Sequence, residues 1–143
     1  MTEHTADEAL SPAVSSFLDA PGRFATVASV NPDGSPHQAA AWYLVRDGAI
    51  VLNSKVGRRW PTNLLRDPRA SVLVVDGYRW VSVRGVVEVD RDPGRAHADI
   101  AAMARRYHAD DPDAAERQVR QFETEERVTF VLRPGRVAAD LEG

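Results

Sequence analysis

The sequence contains no cysteine, a single lysine, and no apolar run near the length of a membrane-spanning helix. The missing cysteines exclude disulfides, thiolate nucleophiles and the sulfur ligand sets of structural zinc and iron–sulfur clusters. Any redox chemistry therefore needs a borrowed cofactor. A spanning helix takes ~20 consecutive apolar residues, so no membrane span is expected. A basic excess is missing too: 18 Lys and Arg stand against 21 Asp and Glu, a net charge of -3, which argues against a general nucleic-acid binder. No Gly-x-Ser-x-Gly elbow and no Gly-Lys-Ser/Thr phosphate loop occur, which removes support for serine hydrolysis and for nucleoside triphosphate hydrolysis. The first ten residues carry Glu3, Asp7 and Glu8 but no Lys or Arg. Secretory and transit segments are basic, so the expectation is a cytoplasmic protein with a flexible N-terminus over 1–10.

What is present fits one domain over residues 1–143, since 143 residues suffice for one core. Ser11 and Pro12 open a short amphipathic helix carrying Val14, Phe17 and Leu18 on one face, and Pro21-Gly22 ends it. Strand chemistry follows over Phe24 to Val30, Pro36 to Arg46 and Ala49 to Asn53, with turns at Asn31-Pro32-Asp33-Gly34 and Asp47-Gly48. A brief helix over Trp60 to Arg66 precedes a hairpin of Ala70 to Val75 and Trp80 to Asp90. Between Asp92 and Glu126, Ala96, Ile100, Met103 and Tyr107 recur at helical spacing, and two helices joined near Asp110-Asp111-Pro112 are expected. Val128 to Leu132 and Val137-Ala138 return to strand composition. Antiparallel strands in hairpin order with helices grouped late indicate an α+β barrel and exclude a parallel nucleotide-binding fold, which alternates strand and helix.

Charge is informative locally. Between Lys55 and Arg69 the cations Lys55, Arg58, Arg59, Arg66 and Arg69 face one acid, Asp67. Here Gly57 permits a tight turn, a helix N-terminus near Trp60 offers free N–H donors, and Ser54, Lys55, Arg58 and Arg59 add hydroxyl and cationic partners. These are the ingredients of a phosphate site, although a basic surface turn has the same composition.

At these residues the sequence resembles the split β-barrel flavin and deazaflavin oxidoreductases related to pyridoxamine 5′-phosphate oxidase. The resemblance runs through Phe24-Ala25-Thr26-Val27-Ala28, Asn31 to His37, Trp42-Tyr43, Ser54-Lys55, Asn63 to Ala70, Val83 to Glu88, and Arg127 to Pro134. It implies a six-stranded antiparallel split β-barrel with peripheral helices, and a homodimer with its cofactor at the interface. By the same resemblance, the phosphate role falls on Ser54, Lys55, Arg58 and Arg59, with Asn63 beside them. His37, Gln38, Ala39, Ala40, Ala41 and Trp42 face the cofactor ring, and the hairpin with Tyr78 and Trp80 covers it from the partner subunit. The chain is most similar to the branch using coenzyme F420, whose acidic tail suits extra arginines. Flavin mononucleotide (FMN) is the alternative cofactor. The implied activity is hydride transfer between reduced F420 and a small-molecule acceptor; the alternatives are an FMN oxidase or reductase and a non-catalytic binder of cofactor, haem or another small molecule.

Single residues carry weaker signals. His37 is a candidate proton donor or a strand-edge histidine, and Tyr43 or water are other possible donors. Trp42, Tyr78 and Trp80 suit a flat ligand, the core or a dimer contact. His97 and His108 have no carboxylate at ligand spacing, so no metal site is expected.

Overall fold

The computed structural model describes residues 2–5 by their backbone and 10–143 in full. The flexible N-terminus expected over 1–10 falls largely outside these residues; within it, β1 (Thr2–Thr5) runs antiparallel to the last strand, β9 (Arg136–Asp140).

Three of the four helices begin the same way. α1 (Pro12–Asp19), α3 (Pro93–Tyr107) and α4 (Pro112–Glu123) each place a proline in the first turn behind a capping side chain. Ser11 Oγ accepts from Val14 N at 3.3 Å, Asp92 Oδ2 from Arg95 N at 2.8 Å and Asp111 Oδ1 from Ala114 N at 3.1 Å. Each cap satisfies a backbone donor that the helix leaves free. The fourth helix, α2 (Arg59–Arg66), starts at Arg58 with no side-chain cap.

The remaining strands are β2 (Ala25–Val30), β3 (Pro36–Ala41), β4 (Leu44–Arg46), β5 (Ala49–Lys55), β6 (Arg69–Asp76), β7 (Arg79–Asp90) and β8 (Arg127–Leu132). They run antiparallel in the order β3-β2-β6-β7-β8-β5-β4, with β9 also on β7. The expected α+β split barrel is the observed class, with nine strands among the described residues. The count exceeds six partly because the run expected over Pro36 to Arg46 divides at Trp42–Tyr43. Before that break β3 pairs with β2; after it β4 pairs with β5, at the far end of the strand order. The chain thus crosses from one end of the sheet to the other, and no described strand fills the space between β3 and β5. That space is the split.

β7 joins the two halves. Its first part pairs with β6 and β9, and from Val87 onward it pairs with β8. At the changeover sits Gly85, where a Cβ would come within 2.5 Å of Arg133 O and 3.2 Å of Gly135 N. Only glycine lets those backbones pass so closely. At the expected Asp47-Gly48 turn the two residues have φ of 53° and 72°, as a type I′ hairpin requires.

The barrel interior is filled by Val27, Ile50, Leu52, Val72, Val74, Val81, Val83, Phe130 and Leu132, all fully or almost fully buried, and closed by Leu18, Trp60 and Leu64 from the helices. Opposite faces of the same strands are left to other partners, as the two-residue period dictates. α3 lies over β5 and β8, with Ile100 and Met103 packed on Val51. No described helix is long and apolar enough to cross a membrane.

Candidate functional site

The crossing at Trp42–Tyr43 is held by aromatic and hydrogen-bonding contacts from α3. The Tyr107 ring stacks on Trp42 at 5.0 Å between centroids and 7° between planes, and on Phe24 at 5.4 Å. Its hydroxyl donates to Arg23 O at 2.6 Å and accepts from Tyr43 N at 3.3 Å. Tyr43 turns the other way, fully buried, with its hydroxyl donating to Leu18 O at 2.6 Å. Burial, and next the neighbouring Tyr107, push its pKa up to about 12. A phenol so engaged is a structural hydroxyl, and Tyr43 is not a proton donor to a ligand in the split.

The split opens into a pocket of about 320 Å³ lined by Phe24, Ala40, Ala41 and Trp42 from one edge and Asn53 and Ser54 from the other. Arg58 and Trp60 close it from the basic turn and α2; Ile100, Gln118, Phe122 and Arg127 close it from the helical side. Five residues expected from the sequence thus meet in one place: Ser54, Arg58, Ala40, Ala41 and Trp42. Lys55 and Arg59 lie in the exposed turn beside the pocket, where Gly57 takes a φ of 104°. Among the described residues the side chains of Lys55 and Arg58 have no hydrogen-bond or ion-pair partner, whereas the Arg59 guanidinium reaches Asn31 Oδ1 at 3.5 Å. Buried Ser54 makes one long bond, to Lys55 O at 3.4 Å. The uncapped first turn of α2 adds free backbone donors. This donor set fits a phosphate: the unpaired side chains of Lys55 and Arg58 and a hydroxyl held by one long bond, beside a helix N-terminus.

Other expected residues are placed differently. Asn63 is buried and bonded internally, its Nδ2 donating to Ser29 Oγ at 3.1 Å and Asn31 Oδ1 at 3.0 Å while its Oδ1 accepts from Arg66. It ties α2 to the β2–β3 turn and has no direct line to the pocket. His37, Gln38 and Ala39 continue along β3 away from the pocket wall, His37 in register with Ser29. Tyr78, 88% exposed, and Trp80 lie at the β6–β7 hairpin, also off the wall. His97 Nε2 is 2.8 Å from Glu125 O and His108 Nε2 2.5 Å from Gln118 Oε1, so both rings are used in holding the helical hairpin.

The wall residues that sequence reasoning missed are Phe24, Asn53, Trp60, Ile100, Gln118, Phe122 and Arg127. Arg127 is the most consequential, at 8% exposure. Its Nε donates to Asn53 Oδ1 at 2.9 Å, its Nη1 to Glu125 Oε1 at 2.7 Å, and its guanidinium lies 4.5 Å over the Phe122 ring. Burial lowers its pKa, the Glu125 bond and charge oppose that, and nearby Arg58 lowers it further. A guanidinium still stays charged under such shifts. No histidine, tyrosine, methionine or cysteine is among the residues lining the pocket, so the described wall offers haem no axial ligand.

An antiparallel α+β barrel split along one side, with cations and aromatic rings at the split, is the class that the fold defines. Residues 10–134 match the pyridoxamine 5′-phosphate oxidase family, and the chain belongs to it. Among solved structures, the conserved hypothetical protein Rv2991 of Mycobacterium tuberculosis is 35% identical, with a TM-score of 0.76 over 96% of this chain and 89% of that one. An F420 reductase is 28% identical, with a TM-score of 0.68 over 87% of this chain and 94% of its own. A heme binding protein of Mycobacterium smegmatis, 23% identical and matched over 95% of this chain and 57% of that one with a TM-score of 0.66, shares the fold. No curated protein matches the chain.

Proposed function

We propose that the protein is an F420-dependent oxidoreductase that uses the split to hold the deazaflavin and present it to a small-molecule acceptor. The observation that carries this reading is the coincidence of the weakly held Ser54 hydroxyl and the unpaired side chains of Lys55 and Arg58 with the α2 N-terminus at one end of a pocket walled by Trp42 and Phe24. The phosphate sits against Ser54, Lys55, Arg58 and Arg59, and the ring lies along Ala40, Ala41 and Trp42 at the free edge of β3. When bound, the cofactor supplies the hydride chemistry, and the protein supplies binding and orientation. The similarity to an F420 reductase supports the deazaflavin over FMN, whose phosphate would use the same cations.

We also infer that two copies pair through the outer face of β2, β3, β6 and β7. There Leu73 and Val75 are 37% and 50% exposed, Leu73 in register with Thr26 and Ser82 and Val75 with Trp80. Exposed apolar groups in one patch mark an interface, and pairing would let Tyr78 and Trp80 reach the partner's pocket. Sedimentation of the full chain should give the mass of a dimer; a single-chain mass at micromolar concentration removes this inference.

The cofactor reading is tested by titrating the full chain with F420 and, separately, FMN, then repeating with Lys55→Ala and Arg58→Ala. Each substitution should weaken the preferred cofactor by about tenfold or more, since a lost charged hydrogen bond is worth ~1.5–3 kcal/mol. Unchanged affinity in both variants overturns the phosphate assignment, and tighter binding of FMN than of F420 overturns the deazaflavin preference.

A further inference from the structure

The basic turn accounts for only one side of the pocket. Asn53 and Ser54 are consecutive on β5 and so open to opposite faces of the strand. The pocket therefore wraps the strand edge, with Ser54, Arg58 and Trp60 on the barrel side and Asn53, Ile100, Phe122 and Arg127 on the helical side. Within the described wall Arg127 is the one charged residue that is also buried.

A buried guanidinium is costly unless it is paired and bonded, and this one is held from several elements. Beyond its bonds to Asn53 and Glu125, Asn53 is itself fixed: its Nδ2 donates to Ala96 O at 2.8 Å and Thr129 Oγ1 at 3.1 Å. The Thr129 hydroxyl donates to Asp99 Oδ2 at 2.9 Å, and Asp99 pairs with Arg46 at 2.7 Å. Nη2 of Arg127 has no bond within the described residues. A cation fixed in this way, with one edge of its fork uncommitted at a pocket wall, suits a carboxylate, which accepts charged hydrogen bonds from guanidinium. Beside it Phe122 and Ile100 offer apolar surface for the rest of such a molecule.

We propose that Arg127 is the recognition residue for the second ligand, and that this ligand carries a carboxylate on a flat conjugated framework. The proposal rests on the reading that the barrel side of the same pocket holds the cofactor. Arg127 touches the carboxylate; Asn53, Thr129 and Asp99 are positioning residues that set its orientation.

The test uses the full chain and two probes, cinnamate and its neutral amide, cinnamamide, each titrated by calorimetry. Arg127→Met should weaken cinnamate roughly tenfold or more, the loss of a charged hydrogen bond, and leave cinnamamide within about threefold. Glu125→Gln keeps Arg127 buried but removes the competing carboxylate, and it should tighten cinnamate by roughly threefold. The proposal is overturned if the wild type does not prefer cinnamate to cinnamamide. It is also overturned if Arg127→Met weakens both probes alike, or if Glu125→Gln fails to tighten cinnamate. Affinity of Arg127→Met for F420 and FMN is the discriminating control. Unchanged cofactor affinity supports a second-ligand role, and a tenfold loss moves Arg127 into the cofactor site and overturns the proposal. Failure of the cofactor reading would show in Lys55→Ala and Arg58→Ala, which the cinnamate titrations do not involve.

Discussion

Asn53 and Lys55 stand two positions apart on β5, yet their polar surroundings differ in kind. Asn53 is 6% exposed and exchanges bonds with Ala96, Thr129 and Arg127. The Lys55 side chain is exposed and, among the described residues, has no hydrogen-bond or ion-pair partner. Burial explains the contrast. A polar group away from water must find a partner or lose its hydration without return, so the helical side of the pocket is set before any ligand arrives. The cations of the turn stay exposed to water, and a ligand that binds them bears the cost of ordering their side chains. One pocket thus pairs a preset wall with an adaptable one.

The comparison breaks most visibly in stability. Asp99→Ala removes the acceptor of both Arg46 and the Thr129 hydroxyl, so that fully buried Thr129 keeps only the bond it accepts from Asn53 and its own proton has no acceptor. The expected loss is about 2–3 kcal/mol, near the upper range for a bond to a charged group, read as a lower midpoint in urea with an unchanged slope. Lys55→Ala, measured alongside, should leave the midpoint where it is. If the two variants unfold together, the preset wall is no more ordered than the turn.

The same contrast governs what the sequence made legible. The turn could be read because exposed cations cluster in sequence: Lys55, Arg58 and Arg59 lie within five residues and need no tertiary structure to be recognised. The strand periods, the proline-led helices and the Asp47-Gly48 hairpin were readable for the same reason, being set by neighbours along the chain. The preset wall was not. Arg46, Asn53, Asp99, Arg127 and Thr129 are dispersed over more than eighty positions, each with an ordinary surface reading alone, and only the packing of α3 on β5 and β8 joins them. Asn63 shows the converse. Its neighbourhood in sequence is that of the phosphate turn, but α2 carries its side chain inward to Ser29, where helix geometry rather than sequence proximity decides its partners.

Tyr43 sharpens the comparison at its smallest step, because its hydroxyl belongs to the buried side but makes a single donated bond. Tyr43→Phe leaves Leu18 O without that donor and should cost about 1–2 kcal/mol, less than Asp99→Ala. It also has a pH signature. The folded pKa of about 12 lies above the ordinary tyrosine value of 10.0, so folding favours the protonated phenol. The stabilisation is whole below pH 10 and is lost as pH rises through about 12, since the unfolded chain releases its proton first. Urea midpoints of the wild type should therefore fall between pH 10 and 12, and Tyr43→Phe, lower at neutral pH, should fall less over that interval. Parallel curves for the two proteins would mean that Tyr43 ionises without disturbing the fold, and that its hydroxyl is as open to water as the cations of the turn.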